Sequence, residues 1–421
     1  MITVRRAAPD DVGAVLALLD DATAWLAAKG IRQWDAGRWD RAKIAAAIER
    51  RETLIATEDG AVAGTVNVSV SDPVVWPEGG DALYVHRLAV ASTAHGRGVG
   101  AQLLRWAEGQ ARQRGRGLMR LDCSCDNPVL RSYYEARGYV LRDERRIGTW
   151  CAARFEKAAP LSGIGHLPKV AGATIPRATA DQMAEADRRA SLELGIPLEV
   201  LMENAAHQIA TATRYFLGGE IAGMDIVATC GSGNNGGDAL GALRRLAGWG
   251  ANVEAYVAAP RERLRPLAAL QYDILAKLGV ALHESASIDL HPLTERLRRA
   301  DIVLDGLLGY SAREAPRGEI ARLIQAIYTS AKREQIVAID IPSGLHPDTG
   351  LNMSGNPLGT VPAALTVTLA LPKTGLLAES ARRWVGEMVV ADIGIPPRAY
   401  DGMGIAAQHL YAPSDLVRII Q

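Results

Sequence analysis

Little in this sequence points to an exported, membrane-bound or polyanion-binding protein. Cysteine is scarce, with four in 421 residues (Cys123, Cys125, Cys151, Cys230). At this length that number makes no disulfide framework, and Cys123-Ser-Cys125 is too tight and too lonely for a zinc knuckle, so structural thiols are the expectation. Phenylalanine is almost absent, with two residues. No apolar run approaches the roughly 18 residues of a membrane span, and "MITVRRAAPDD" lacks the apolar core of a signal peptide. Charge of one sign is missing too: Lys plus Arg and Asp plus Glu both number 47, leaving no basic field for nucleic acid or an anionic membrane. Small-molecule chemistry in a reducing cytoplasm is what these absences leave.

What is present divides into two unlike halves. The Gly-, Ala- and Pro-rich stretch 158–176 reads as a connector between a domain at 1–157 and another at 177–421. In the first half, strand patterns "ITVRRA", "TLIATEDGAVAGTVNVSVS", "ALYVHRLAV", "LMRLDCS" and "YVLRDERR" alternate with helical patterns at Asp10 to about Lys29, "GAQLLRWAEGQARQR" and "PVLRSYYEARG". The second half opens with two helical patterns. Strands "DIVATC", "NVEAYVAA", "DIVLDGLLG", "QIVAIDIP", "ALTVTLA" and "VGEMVVADIG" follow, with helices between several of them. That order predicts an α/β chain: a mixed α/β domain, then a Rossmann-like three-layer α/β/α domain with a mostly parallel sheet.

Two glycine turns carry the chemistry. In "HRLAVASTAHGRGVGAQLLRWAE" a strand runs into a helix through glycines, so main-chain N–H groups can converge on a diphosphate. In "GSGNNGGD" (231–238) the spacing is that of a dinucleotide turn, yet Asp238 follows where a phosphate prefers positive potential. A carboxylate at about 4 Å from a phosphate costs on the order of 1 to 4 kcal/mol, which points to a cation or to another ligand orientation. Oxygen-bearing side chains recur at further strand ends, Asp305, then Asp340 and Ser343. A parallel sheet gathers such ends at one crevice.

The span His86–Ala101 together with "DNPVLRSYYEARGY" (126–139) resembles the GNAT family of acetyl-CoA-dependent N-acetyltransferases. The resemblance implies that Leu88, Ala89 and Val90 pair with the pantetheine arm. It implies that His95, Gly96, Arg97, Gly98, Val99, Gly100 and Ala101 surround the diphosphate, that Asn127 contacts coenzyme A, and that Tyr134 protonates the leaving thiolate. His95 stands where the family usually has Gln or Arg. His86 reads either as a base for the incoming amine or as a packed histidine. The Trp-rich loop "GIRQWDAGRW" reads as an acceptor-pocket wall or a core cap.

"LMENAA" (201–206), "GSGNNGGD", "DGLLGYSAREAPRG" (305–318), "DIPSGLHPDTG" (340–350), "TVTLALPKTGL" (366–376) and "VVADIGIP" (389–396) fall in the order of the NAD(P)H-hydrate epimerase family, which this half resembles. The resemblance implies interconversion of the R and S hydrates of NAD(P)H. Asn234, Asn235, Gly236, Gly237 and Asp238 would meet the substrate, the loop Gly309, Tyr310, Ser311, Ala312, Arg313, Glu314 and Ala315 would wrap its diphosphate, and Asp340 would bind near the reacting ring. Asn235, Asp305 and Ser343 would coordinate potassium. Asp305 or Asp340 would be the general acid/base, and Lys373 would support the site or be solvated. Ala206 and Ala239 replace glycines of the family motifs, each adding a methyl in a crowded turn. The expected small-molecule partners are NAD(P)H hydrates and acetyl-CoA, with a separate dehydratase acting in the same pathway; a homodimer is compatible with this reading. The second half also admits a non-catalytic nucleotide-binding module, an enzyme of a specialised pathway, or an NAD(P)-dependent oxidoreductase.

Overall fold

The computed structural model describes residues 2–31, 33–35, 37–58, 60–114, 116–159, 163–219 and 221–420. Arg32 and Ala36 of the Trp-rich loop and residues 160–162 of the connector lie outside the described residues. The chain forms two compact units, residues 1–162 with 217–223, and residues 163–216 with 224–421.

The first unit is built on β1 (Ile2–Arg6), β2 (Thr53–Glu58), β3 (Ala61–Ser69), β4 (Ala82–Val90), β5 (Leu118–Ser124), β6 (Val140–Ile147) and β7 (Trp150–Ala158), in the order β1-β2-β3-β4-β5-β7-β6. Helices α1 (Val12–Ala28), α2 (Arg41–Glu49), α3 (Val99–Gln113) and α4 (Pro128–Glu135) accompany it. All neighbours are antiparallel except β4 and β5, which pair in parallel over Ala82–Val85 and Leu118–Leu121. Beyond Val85 and Leu121 the two strands continue without pairing each other, so a gap opens between them. In β4 the register shift opposite β3 falls beside Arg87, whose φ is +51°. Helix α2 and strand β7 carry too weak a period to stand out in sequence.

Cys125 and Cys151 form a disulfide, although four cysteines at this length suggest no disulfide framework; Cys123 and Cys230 are buried and free. The antiparallel ladder of β5 and β7 brings two positions 26 residues apart to neighbouring strand ends, where Cys125 N–H donates to Cys151 O at 3.0 Å. Nothing in the linear spacing reveals that.

The second unit contains β8 (Lys169–Ala171), α5 (Ala180–Arg188), α6 (Leu198–Phe216), β9 (Asp225–Cys230), α7 (Asn234–Gly248), β10 (Asn252–Val257), α8 (Pro266–Lys277), β11 (Ala281–Glu284), α9 (Leu290–Arg299), β12 (Ile302–Gly306), α10 (Gly318–Ser330), β13 (Ile336–Ile339), β14 (Leu365–Leu369), β15 (Glu387–Ala391) and β16 (Leu416–Ile420). The sheet order is β11-β10-β9-β12-β13-β14-β15-β16-β8, parallel throughout except between β15 and β16. Strands β9, β12, β13, β14 and β15 are nearly all buried, as a sheet covered on both faces requires. The stretch 158–176 is more than a spacer, since Lys169–Ala171 adds the last strand beside β16.

Chain direction across this sheet reverses between β9 and β12: β10 and β11 extend one way, β13 to β15 the other. At such a switch point the loops leaving the carboxyl ends diverge and leave a crevice.

Candidate active site

In the second unit the glycine turn ends sooner than its sequence suggests. Helix α7 already begins at Asn234, with Gly233 at the N-cap, so Asn235 to Asp238 lie in its first turns. Close approach explains the glycines. A Cβ on Gly231 would overlap Leu307 O, one on Gly236 would overlap Gly231 O, and one on Gly237 would press Met202 and Ala268. The N-terminus of α7 therefore sits directly against the turn that follows β12.

Asp305, near the carboxyl end of β12, is fully buried. One carboxylate oxygen accepts from Ser343 Oγ at 2.6 Å and Leu307 N at 3.3 Å, the other from Ser343 N at 2.8 Å, and Ser343 Oγ itself accepts from Leu308 N at 3.0 Å. Burial pushes the Asp305 carboxyl up to about 6, against the lowering effect of the Ser343 and Leu307 hydrogen bonds. Asn235 lies beside this knot, its amide donating to Leu308 O at 3.0 Å and Ile339 O at 3.2 Å. The structure thus gathers Asn235, Asp305 and Ser343 at one place.

Asp340 follows β13 with φ +66°, and Ala370 follows β14 with φ +60°. Left-handed backbone at non-glycine residues costs about 1–3 kcal/mol and is held only where surroundings impose it. Here the Asp340 N–H reaches Val367 O at 2.8 Å, and its carboxylate accepts from Tyr310 N at 3.0 Å. The same carboxylate forms an ion pair with Lys373, whose ammonium also donates to Leu369 O at 2.9 Å. The Lys373 side chain is 1% exposed, which rules out the solvated alternative for it.

Two more carboxyls face this pair. Asp238 is buried, and its carboxyl is pushed well above the usual range by desolvation and then by Asp340 and Asp187, with Lys373 opposing. Asp187, on α5, accepts from Tyr310 Oη and is raised by burial. Burial removes the objection raised against Asp238 next to a phosphate, because it disfavours the charged form. Sequence reading missed Asp187; its signal was an acid four residues after Met183 on the buried face of an amphipathic helix.

In the loop Gly309–Ala315, Gly309 abuts Asn235 and Asp340, and Tyr310 joins Asp340 to Asp187. Beyond this anchored end Ser311, Arg313 and Glu314 are exposed and Ala312 and Ala315 half-buried, and Arg313 pairs with exposed Asp181. Asn234 is exposed at the start of α7. The methyls of Ala206 and Ala239 lie where added Cβ atoms on Gly241 and Gly306 would collide with them, so each extra methyl is accommodated by a glycine opposite. Ala206 and Ala239 are both fully buried.

In the first unit, Gly96 and Gly98 have φ of +78° and +83°, and open space lies where their Cβ atoms would be. Val99, Gly100 and Ala101 begin α3. A Cβ on Gly100 would stand 3.0 Å from Tyr133 Oη and 3.4 Å from Val90, so Tyr133, not singled out in sequence, borders the arm. Arg97 pairs with Glu58. His95 shares a 3.1 Å hydrogen bond with Val90 O and packs edge-on to Trp25. Leu88, Ala89 and Val90 lie on the part of β4 whose edge toward β5 is unpaired. Asn127 is buried as the N-cap of α4, accepting from Leu130 N at 3.1 Å. Tyr134 is buried among Tyr133, Tyr139 and Phe155, and desolvation raises its hydroxyl well above the usual range, which keeps it protonated.

The second unit is thus an α/β domain with a buried acid–lysine cluster at the switch point of a parallel sheet, the architecture of a nucleotide-handling protein. The YjeF-related protein N-terminus family matches residues 198–375, and the Acetyltransferase (GNAT) family matches residues 18–139. Over 234 residues the chain is 37% identical to the NAD(P)H-hydrate epimerase of Dehalogenimonas lykanthroporepellens, covering 56% of this chain and 88% of that one. It is 38% identical over 235 residues to the bifunctional NAD(P)H-hydrate repair enzyme Nnr of Moorella thermoacetica, covering 55% of this chain and 42% of that one. The chain therefore spans less than half the length of that bifunctional relative. A solved yeast structure covers 57% of this chain at 21% identity with a TM-score of 0.49. The chain belongs to the NAD(P)H-hydrate epimerase family through its second unit, and its first unit is a GNAT acetyltransferase domain.

Proposed function

We propose that the second unit interconverts the R and S hydrates of NAD(P)H and that the first transfers an acetyl group from acetyl-CoA to an amine. The observation that carries the first reading is the buried Asp340–Lys373 ion pair beside the protonation-favouring Asp238 at the switch point. Epimerisation at a carbon bearing both a ring nitrogen and a hydroxyl needs no redox change. The C–O bond breaks as a proton reaches the hydroxyl oxygen, and water returns to the other face while giving up a proton. Ring opening and closure at the same carbon makes the same demands. Asp238, held neutral by burial, supplies the acid, and Asp340, fixed by Lys373 and Tyr310 N, supplies the base. A burial-raised Asp238 beside an Asp340 fixed by a lysine suits that division.

Asp305 serves as an anchor in this reading, because all three of its hydrogen bonds hold the turns after β12 and β13. Potassium fits the oxygen-rich corner formed by Asn235, Asp305 and Ser343, where the Leu308 and Ile339 carbonyls also converge on Asn235. Bound there, it would supply fixed positive charge among carboxylates and near the substrate diphosphate. Asn234 to Asp238 and the loop Gly309–Ala315 would embrace the nucleotide, with Arg313 as counter-charge. A dehydratase that consumes one epimer is the partner this chemistry calls for, and the cytoplasm, where both cofactor pools are used, is its proposed place.

In the first unit the open space over Gly96 and Gly98 accommodates the diphosphate, and the unpaired edge of β4 accommodates the pantetheine arm. The amine nitrogen bonds to the acetyl carbon as the carbon–sulfur bond breaks. Tyr134 gives the thiolate its proton, and the protons lost from the amine pass to a base and to solvent.

The test of the epimerase starts from one purified hydrate of NADPH and follows the other by chromatography, with and without potassium. Interconversion faster than the spontaneous rate supports the reading, and the spontaneous rate alone removes it in favour of a binding module. Oxidation of NADPH with a co-substrate would instead install the oxidoreductase reading.

A further inference from the structure

One ammonium and three carboxyls crowd the crevice around the turns after β13 and β14: Lys373 with Asp187, Asp238 and Asp340. A single lysine cannot pair with three acids, and its choice decides which carboxyl stays ionised as the base. Lys373 is committed to Asp340 and to Leu369 O. Asp238 competes weakly, because burial disfavours its charged form. Asp187 is the serious rival. The charge of Lys373 lowers its carboxyl against the raising effect of burial, so the two groups feel each other across the site.

Tyr310 touches every member of this contest except Asp238. Its backbone N–H donates to Asp340 at 3.0 Å, its hydroxyl donates to Asp187 Oδ2, and its ring centroid lies 5.5 Å from Lys373 Nζ. Burial and Asp187 itself push the Tyr310 hydroxyl above its usual range, so it keeps its proton and donates. Among the described residues no other donor reaches the Asp187 carboxylate. The ammonium of Lys373 has three N–H bonds; Asp340 and Leu369 O take two, and the Tyr310 ring lies within cation–π range.

We infer that Tyr310 and Asp187 form a positioning pair, in which the Tyr310 hydroxyl occupies the Asp187 carboxylate so that Lys373 stays on Asp340. The pair works by removing a competitor. Without that hydroxyl Asp187 is a buried carboxylate with no donor, and the cation whose charge it feels is Lys373. A lysine drawn to Asp187 would leave Asp340 with only the N–H groups of Tyr310 and Leu369. Asp340 would then lose its counter-charge, and with it the ionised state that a base needs.

This inference rests on the epimerase reading of the second unit, and the test keeps the two apart. Interconversion of one purified hydrate of NADPH is measured at pH 8 with the full chain and three variants. Tyr310→Phe keeps the ring and the backbone N–H and removes only the hydroxyl. It should lower kcat about 10-fold with KM within about 2-fold, the scale of one misplaced charged hydrogen bond. Asp187→Asn should cost less, since its amide oxygen still accepts from the hydroxyl and its charge is gone. The double variant Tyr310→Phe/Asp187→Asn removes both the hydroxyl and the rival, and its kcat should exceed that of Tyr310→Phe by at least about 3-fold. A pair that only held the fold together would leave the double variant as slow as Tyr310→Phe or slower, and that result overturns the inference. So does a Tyr310→Phe chain with raised KM and unchanged kcat, which would put the hydroxyl on the substrate, or one with neither changed. A crystal structure of Tyr310→Phe reads the pairing without any activity. Lys373 should sit on Asp187 there, and Lys373 still on Asp340 overturns the inference. If the wild type leaves the hydrates at their spontaneous rate, the epimerase reading fails, and that crystal structure alone decides the pairing.

Discussion

Two aspartates at adjacent strand ends illustrate how different one residue type becomes when its hydrogen bonds differ. Asp305 spends its oxygens on Ser343 and Leu307, whereas buried Asp340 meets a lysine and the N–H groups of Tyr310 and Leu369. Asp340→Asn should slow hydrate interconversion by on the order of 100-fold or more, the scale of a lost acid/base group, and should also lower stability by about 3–5 kcal/mol, because it strands the buried Lys373 ammonium. Asp305→Asn should lower stability by about 1–3 kcal/mol, because an amide cannot accept on both sides from Ser343 and Leu307, and should slow interconversion by less than Asp340→Asn does. Denaturant unfolding alongside the same chromatographic assay reads both. A loss of activity in Asp305→Asn larger than that in Asp340→Asn would return Asp305 to a chemical role.

At the scale of an element, both glycine arms work by what a side chain would displace. Gly236 packs on Gly231 O inside the first turn of α7, whereas nothing lies within 4 Å of a Cβ at Gly233. Gly236→Ala should therefore cost about 1–3 kcal/mol and most of the epimerase activity through the shifted turn, and Gly233→Ala should cost about 1 kcal/mol with activity retained. Parallel unfolding curves and activities measure both. In α3's approach, Gly98 has φ +83° and open space beyond it. Gly98→Glu should weaken acetyl-CoA binding by roughly 10-fold or more, since a carboxylate near a diphosphate costs on the order of 1–4 kcal/mol. An unchanged calorimetric affinity would move the diphosphate elsewhere.

At the scale of the whole molecule, each unit carries a carboxyl that burial keeps protonated beyond its usual range: Asp122, pushed up to about 7, in the first, and Asp305, at about 6, in the second. Desolvation is the main cause at Asp122, reinforced by Asp72 and opposed by Arg38. Near pH 4 to 7 the native chain holds protons that the unfolded chain has released, so the stability these groups contribute is full at low pH. It is lost as pH rises through their folded-state values. Asp122→Asn should thus raise the melting temperature of one transition by a few degrees at pH 8 and leave it nearly unchanged at pH 4. Scanning calorimetry on the full chain checks this. A gain at pH 4 as large as that at pH 8 would show that proton linkage is not the cause.

The sequence by itself determined the two-part α/β organisation, the two glycine turns and the acids at strand ends, because those features are local. Strand and helix periods repeat within a few residues, glycine marks where backbones must approach, and a parallel sheet necessarily gathers its carboxyl ends. Ala206 and Ala239 were legible as departures, but only packing shows that each methyl faces a glycine and fits. Tertiary structure alone decided which acids meet. Asp187 reaches Tyr310 from α5, Lys373 turns inward to Asp340, and Cys125 closes on Cys151 across a ladder. Asp72, His86 and Asp122 come together from three separate segments at the apex of a splayed strand pair. The physical reason is common to all of these. Burial and charge pairing depend on distances between residues far apart in the chain, and a one-dimensional pattern fixes such distances only where secondary structure repeats.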